Sequence, residues 1–89
     1  MTHLRVADRV GVTVEAAVVF AARLPDGPIL ALDGTAGLIW RRALDGPRED
    51  VAERVSADVG TAPVDIRDEV DRFVDELIEL GLLVPAESR

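Results

Sequence analysis

The 89-residue chain has no cysteine and no lysine, a single histidine and three aromatic residues. Without cysteine there is neither a disulfide framework nor a thiolate metal site. His3 stands alone near a chain end, with no nucleophile beside it and no metal co-ligands, so it makes no active site. Catalysis, metal binding and a resident cofactor are therefore not expected. No apolar run approaches the roughly 18 to 20 residues of a membrane span. No positively charged start leads into an apolar stretch as in a secretory signal, and a cytoplasmic protein without membrane contact is expected. The ten basic residues are all arginine, which reads as a trace of GC-rich coding more than as chemistry. The length supports one domain with one core and leaves no room for a deep cleft between two lobes.

Charge is spread unevenly. Residues 1–44 carry a net +1 and residues 45–89 a net −8, together the formal −7. So acidic a second half repels a nucleic-acid duplex or an anionic membrane unless an arginine cluster overrides it, because phosphate neutralisation supplies most nucleic-acid affinity. Arg41 and Arg42 are the one adjacent basic pair, and on a helix they read as a solvated face.

The densest signal runs from Leu24 to Trp40, L-P-D-G-P-I-L-A-L-D-G-T-A-G-L-I-W. Pro25, Asp26 and Gly27 are turn residues, with Gly27 expected at positive φ, and they predict a hairpin. Ahead of it, Val10, Val12 and Val14 alternate with Gly11, Thr13 and Glu15 as in a half-buried strand, and Leu4 with Val6 is read as its extension. Ala17 to Arg23 is a β-branched apolar run that suits a central strand. The third strand, Pro28 to Leu32, opens on a residue with no N–H to donate, which fits a strand with one unpaired side. If order in space follows order in sequence, this strand lies at an edge. A free edge is either a hazard or a docking site.

From Asp33 the period becomes helical. Asp33 or Thr35 is expected to cap a helix whose apolar residues are Ala36, Ile39, Trp40, Ala43 and Leu44, which puts Trp40 in the core. Asp45-Gly46 ends it and Pro47 opens a second helix with Val51, Val55 and Val59 at spacings of four. Gly60 stops the second, and a third is predicted from about Asp65 to Leu80, closed by Gly81 in a left-handed cap with Leu82 folding back. Gly34 and Gly37 lack the spacing and the lysine of a phosphate loop.

In the third helix Ile66, Val70, Phe73, Leu77 and Leu80 form the expected core stripe. Counting about 100° per residue, Glu69 and Glu76 make one polar flank, while the other holds Arg67, Asp71, Val74 and Ile78. Asp68, Asp75 and Glu79 lie opposite the stripe as solvated carboxylates. The second flank either meets more of the same core or forms one wall of a groove whose other wall is the free edge of Pro28 to Leu32.

From about Val10 to Val84 the chain resembles the PqqD-like peptide chaperones, also called RiPP recognition elements. The resemblance is carried by L-D-G-T-A-G-L-I-W at Leu32–Trp40, by L-D-G at Leu44–Gly46, by E-D-V-A-E-R-V at Glu49–Val55 and by V-D-E-L-I-E-L-G-L-L at Val74–Leu83. Asp33 stands where that family often has Asn, and either can cap a helix. The resemblance implies a winged-helix-like α+β domain, a three-stranded antiparallel sheet followed by three helices. Residues 1–89 would form a single unit with its core at about 10–84 and mobile termini.

The same resemblance implies a non-catalytic role. Such domains hold the leader segment of a ribosomally made precursor peptide and present it to a modifying enzyme or leader protease. Related domains serve pyrroloquinoline quinone, mycofactocin and lasso-peptide pathways, and these residues do not choose among them. In that family the leader adds as a strand along the third strand and lies against the third helix. Carried over, the backbone of Ile29, Leu30, Ala31 and Leu32 would pair with the peptide, and Arg67, Val70, Asp71, Val74 and Ile78 would contact its side chains. Two other readings stay open. A DNA-binding winged helix needs a basic recognition helix, where residues 65–79 hold Arg67 and Arg72 against seven acids. An interaction module would form a homodimer through the same edge strand.

Overall fold

In the computed structural model, which describes residues 2–86, the chain runs β1 (Leu4–Val6), β2 (Val10–Glu15), β3 (Val18–Arg23), β4 (Ile29–Leu32), α1 (Thr35–Ala43), a 3-10 turn (Arg48–Asp50), α2 (Val51–Val59), α3 (Pro63–Glu79) and β5 (Leu83–Pro85). Residues 1 and 87–89, part of the termini expected to be mobile, lie outside the described residues. The strands β2, β3 and β4 form an antiparallel sheet in chain order and three helices follow, so the fold is α+β as expected. The β2–β3 hairpin turns on Ala16 and Ala17, both at positive φ (50 and 68), as a two-residue type I′ turn requires. Its register sets Val10 opposite Arg23 and Glu15 opposite Val18. The next hairpin sets Val19 opposite Leu32 and Ala22 opposite Ile29.

The expectation that Leu4 and Val6 extend β2 is corrected. They form β1, which pairs antiparallel with β5, a strand absent from the sequence reading. Arg9, at φ 65, turns the chain between β1 and β2. The Ala7 N–H donates to the Leu82 carbonyl at 2.9 Å and the Ala86 N–H to the His3 carbonyl at 2.7 Å. With β1 committed to β5, the sheet has two free edges among the described residues, β2 and β4.

Glycines set the joints, in two cases for a reason other than the one expected. Gly27 is not at positive φ; a Cβ there would sit 2.7 Å from the Arg23 carbonyl oxygen, so the hairpin needs glycine for close approach. At the start of α1 neither Asp33 nor Thr35 makes a side-chain cap. Gly34 takes the turn at φ 58, ψ −128, a conformation suited to glycine. Pro63 occupies the first position of α3. The helix ends in a Schellman motif as expected, with Gly81 at φ 77 and the Leu82 N–H donating to the Leu77 carbonyl at 3.0 Å.

The core joins Val19, Ala21 and Leu32 of the sheet to Ile39, Trp40 and Ala43 of α1, Val51 and Val55 of α2, and Val70, Val74 and Leu77 of α3, with Leu4, Leu82 and Leu83 below. Trp40 is core, as the spacing predicted. The third-helix stripe is corrected: it is centred on Val70, Val74 and Leu77, rotated by about 50° from the predicted one. Val74 is 1% exposed, whereas Phe73 is half-buried and Leu80 is 49% exposed. The cause is the placement of α2, which covers the Arg67 side of α3 and leaves the Phe73–Leu80 side less enclosed.

Candidate peptide-docking groove

Backbone alternation on β4 fixes which groups are free. The Leu24 N–H donates to the Arg9 carbonyl at 2.6 Å, continuing the β2–β3 ladder. In an antiparallel ladder bonded and outward residues alternate, so β2 bonds through residues 9, 11, 13 and 15 to residues 24, 22, 20 and 18. On β3 this leaves Val19 and Ala21 to bond Leu32 and Leu30 of β4. The N–H and C=O groups of Ile29 and Ala31 therefore face outward, and nothing among the described residues pairs with them. The Ile29 side chain is 74% exposed. Of the four residues expected to offer backbone, alternation leaves Ile29 and Ala31 free and commits Leu30 and Leu32 to the sheet.

Beside this edge, on the inner face, lies a concavity of about 470 Å³ lined by Arg23, Leu24, Pro25, Asp26, Gly27, Pro28, Leu30, Leu80 and Leu82. It forms where the β3–β4 loop meets the C-terminal end of α3. Leu30 points inward from β4, Leu80 stands at the end of the helix, and the Schellman turn brings Leu82 underneath. Arg23 spans the junction: its Cδ and Nε lie 3.3 Å from where a Cβ on Gly81 would be. It is the cation of this concavity, and Asp26 is the anion.

The side chains expected to line a groove are elsewhere. Val70 and Val74 are sealed in the core. Arg67 reaches α2 and donates to Glu53 Oε2 at 2.7 Å, which raises the guanidinium pKa and holds the Glu53 carboxyl below its ordinary range. Asp71 borders a separate polar hollow with Thr2, Arg48, Glu49 and Asp75, where Arg48 also pairs with Asp75. Ile78 is half-buried against the core. The structure thus joins the edge of Ile29–Leu32 to Leu80 and Leu82, on the opposite margin of the stripe from Arg67 and Asp71. The signal for this was an apolar Leu80 directly ahead of a helix-stopping Gly81, and an arginine ending a strand.

Of the two adjacent arginines, Arg42 is already engaged. Arg42 donates to Asp58 at 2.5 Å and to Asp45 at 2.8 Å, which raises its pKa. Arg54 caps the carbonyls of Arg42 and Pro47. Among the described residues no group of histidine, cysteine and carboxylate side chains could hold a metal ion, and no helix is long and apolar enough to cross a membrane.

No curated protein and no solved structure matches the chain. The model of the family described as coenzyme PQQ synthesis protein D (PqqD) matches residues 8–83. That span covers β2 to the start of β5, including the free β4 edge and the concavity beside it. The chain belongs to the PqqD family, whose members are peptide-binding accessory domains of cofactor and natural-product biosynthesis, the RiPP recognition elements.

Proposed function

We propose that this domain binds the leader segment of a precursor peptide as an added strand on β4 and presents it to a modifying enzyme, itself contributing no catalytic group. The observation that carries the reading is the coincidence of unpaired Ile29 and Ala31 backbone with the Leu30, Leu80 and Leu82 concavity. A strand laid along β4 gains main-chain hydrogen bonds that depend little on peptide sequence, and every second side chain then falls on the inner face, over that concavity. Ordering a free leader costs about 2 to 5 kcal/mol or more. Two or three buried apolar anchors, each contributing roughly 1.5 to 3 kcal/mol, offset it. Arg23 takes the role first given to Arg67, that of a cation offered to an acidic peptide residue, because Arg67 is already bonded to Glu53. DNA binding has less support: α3 is acidic and Arg42 is neutralised by two aspartates.

The test is a titration of the domain with leader peptides while backbone amides are followed by NMR. Perturbations are expected at Asp26 to Ala31 and at Leu80 to Leu82. Perturbations confined to the β2 edge, or to the Arg67–Asp71 flank, would overturn the placement.

A further inference from the structure

The concavity beside β4 is one end of a longer groove, and the two ends differ in charge. β4 leads from the concavity into α1, and α3, which ends at the concavity with Leu80, packs on α1 further along, so both walls run toward α1. At the concavity stands a cation. Arg23 follows Val19 and Ala21 at spacings of two, so it shares their inner face, level with Pro28 of the neighbouring strand. Toward α1 the rim is acidic. Counting about 100° per residue, Glu69 and Glu76 lie about 20° and 40° beyond Leu80, on the side away from the buried face of Val74. Asp33 directly follows the last residue of β4. These three acids and Arg23 are exposed, and none of them forms an ion pair among the described residues. Arg72 is the cation nearest to the two glutamates along α3, and it bonds to neither. Asp26, at the concavity, belongs to the loop ahead of the strand.

Building on the strand addition proposed above, we infer that the leader this groove takes is charge-patterned on its inward face. Read from Pro28 toward Leu32, it presents an acidic, an apolar and a basic side chain at alternate positions. Directly opposed residues of paired strands share a face, so the side chains opposite Pro28, Leu30 and Leu32 are the ones that point inward. The first comes level with Arg23. The second meets Leu30, Leu80 and Leu82 and fills the concavity. The third arrives beside Asp33 and the rim of Glu76 and Glu69. Successive inward residues of a strand are about 6.8 Å apart, and Glu76 stands about 6 Å along the helix from Leu80, so the two walls keep step. The pattern also fixes the register. Main-chain bonds alone let an added strand slip by two residues, but here a slip drives a charge into the apolar concavity, which is costly.

Calorimetric titration of the full chain with short capped peptides tests the inference. Each peptide holds threonine at outward positions and one inward triad: Glu-Leu-Arg, Glu-Leu-Glu or Arg-Leu-Arg. At low ionic strength Glu-Leu-Arg is expected to bind about fivefold more tightly than either of the others, with the advantage shrinking in salt. General attraction to a domain of net charge −7 instead favours Arg-Leu-Arg. E76R is expected to abolish the preference of Glu-Leu-Arg over Glu-Leu-Glu. E15R, an equal change of charge on β2 at the far side of the sheet, is expected to preserve it. Both positions are exposed, and circular dichroism verifies the fold of each variant. The amide shifts of Ile29 and Ala31 report separately whether a strand has been added. Shifts there with equal affinities, with Arg-Leu-Arg bound best, or with the preference lost equally in E15R would overturn the charge pattern and leave strand addition standing. If no peptide moves those amides, strand addition itself fails and the pattern with it.

Discussion

Arg67 donates to Glu53 Oε2 at 2.7 Å and ties α3 to α2 on the side of the bundle away from the β4 edge. Both side chains are partly exposed, so the pair is a modest, screened contribution to stability. The folded Glu53 carboxyl titrates below its ordinary 4.5. The stability it adds is therefore present above that pH and is lost as pH falls through the folded pKa. Urea midpoints of the unaltered domain and E53Q are expected to differ at neutral pH and to converge as pH falls from about 4.5 through the lowered folded pKa. Leader affinity should be unchanged in R67A.

Val74 and Leu80 exchange the roles that the helical wheel gave them. Val74→Asp places an unpaired carboxylate among Val70, Leu77 and the sheet, and the domain is expected not to fold. Leu80→Asp changes a half-exposed wall of the concavity, and it is expected to keep the fold while weakening leader binding at least tenfold, as two or more kcal/mol of anchor burial is lost. Leu77→Ala, at a fully buried position, should cost about 2 to 5 kcal/mol in a denaturant titration. Loss of fold in both Asp variants would mean that Leu80 is core after all.

The legibility of the fold follows from how local each signal is. Alternation gave β2, the apolar run gave β3, and the spacing of Ala36, Ile39, Trp40 and Ala43 gave α1, because each is decided within a few residues. The three-residue strands β1 and β5 are too short to show a period and exist by pairing with each other across the whole chain. The β4 edge was legible from Pro28 and chain order. Which flank of α3 faces it was not, because Val74 and Phe73 are equally apolar. Only the position of α2, anchored through Arg67 and Glu53, decides between them.

Gly37 sets how closely α1 can approach the sheet. A Cβ there would lie 2.7 Å from the Leu32 carbonyl oxygen, which is backbone and cannot swing aside. Gly37→Ala is expected to push α1 from the end of β4 and cost about 1 to 3 kcal/mol, despite alanine's better helix propensity. Gly34→Ala is strained for a different reason, its φ of 58, with open space around it. Thermal denaturation of both, with the amide shifts of Ile29–Leu32, separates them: only Gly37→Ala should move the β4 resonances strongly.

Proline distinguishes the two faces of β4 one residue at a time. The Leu30 N–H is committed to Ala21, so Leu30→Pro removes a ladder bond and should destabilise the sheet markedly. The Ala31 N–H points outward, and Ala31→Pro lies where edge strands accept proline, so the domain should remain folded. It would lose a donor that an added strand needs, and leader affinity is expected to fall by tenfold or more. Hydrogen exchange gives the same distinction without mutation. The Leu30 amide should be protected in the free domain and in the complex, whereas Ile29 and Ala31 should exchange quickly when free and slow down once the leader is bound. Protection of Ile29 and Ala31 in the free monomer would show that the edge is already occupied, and strand addition would have no donors left to use.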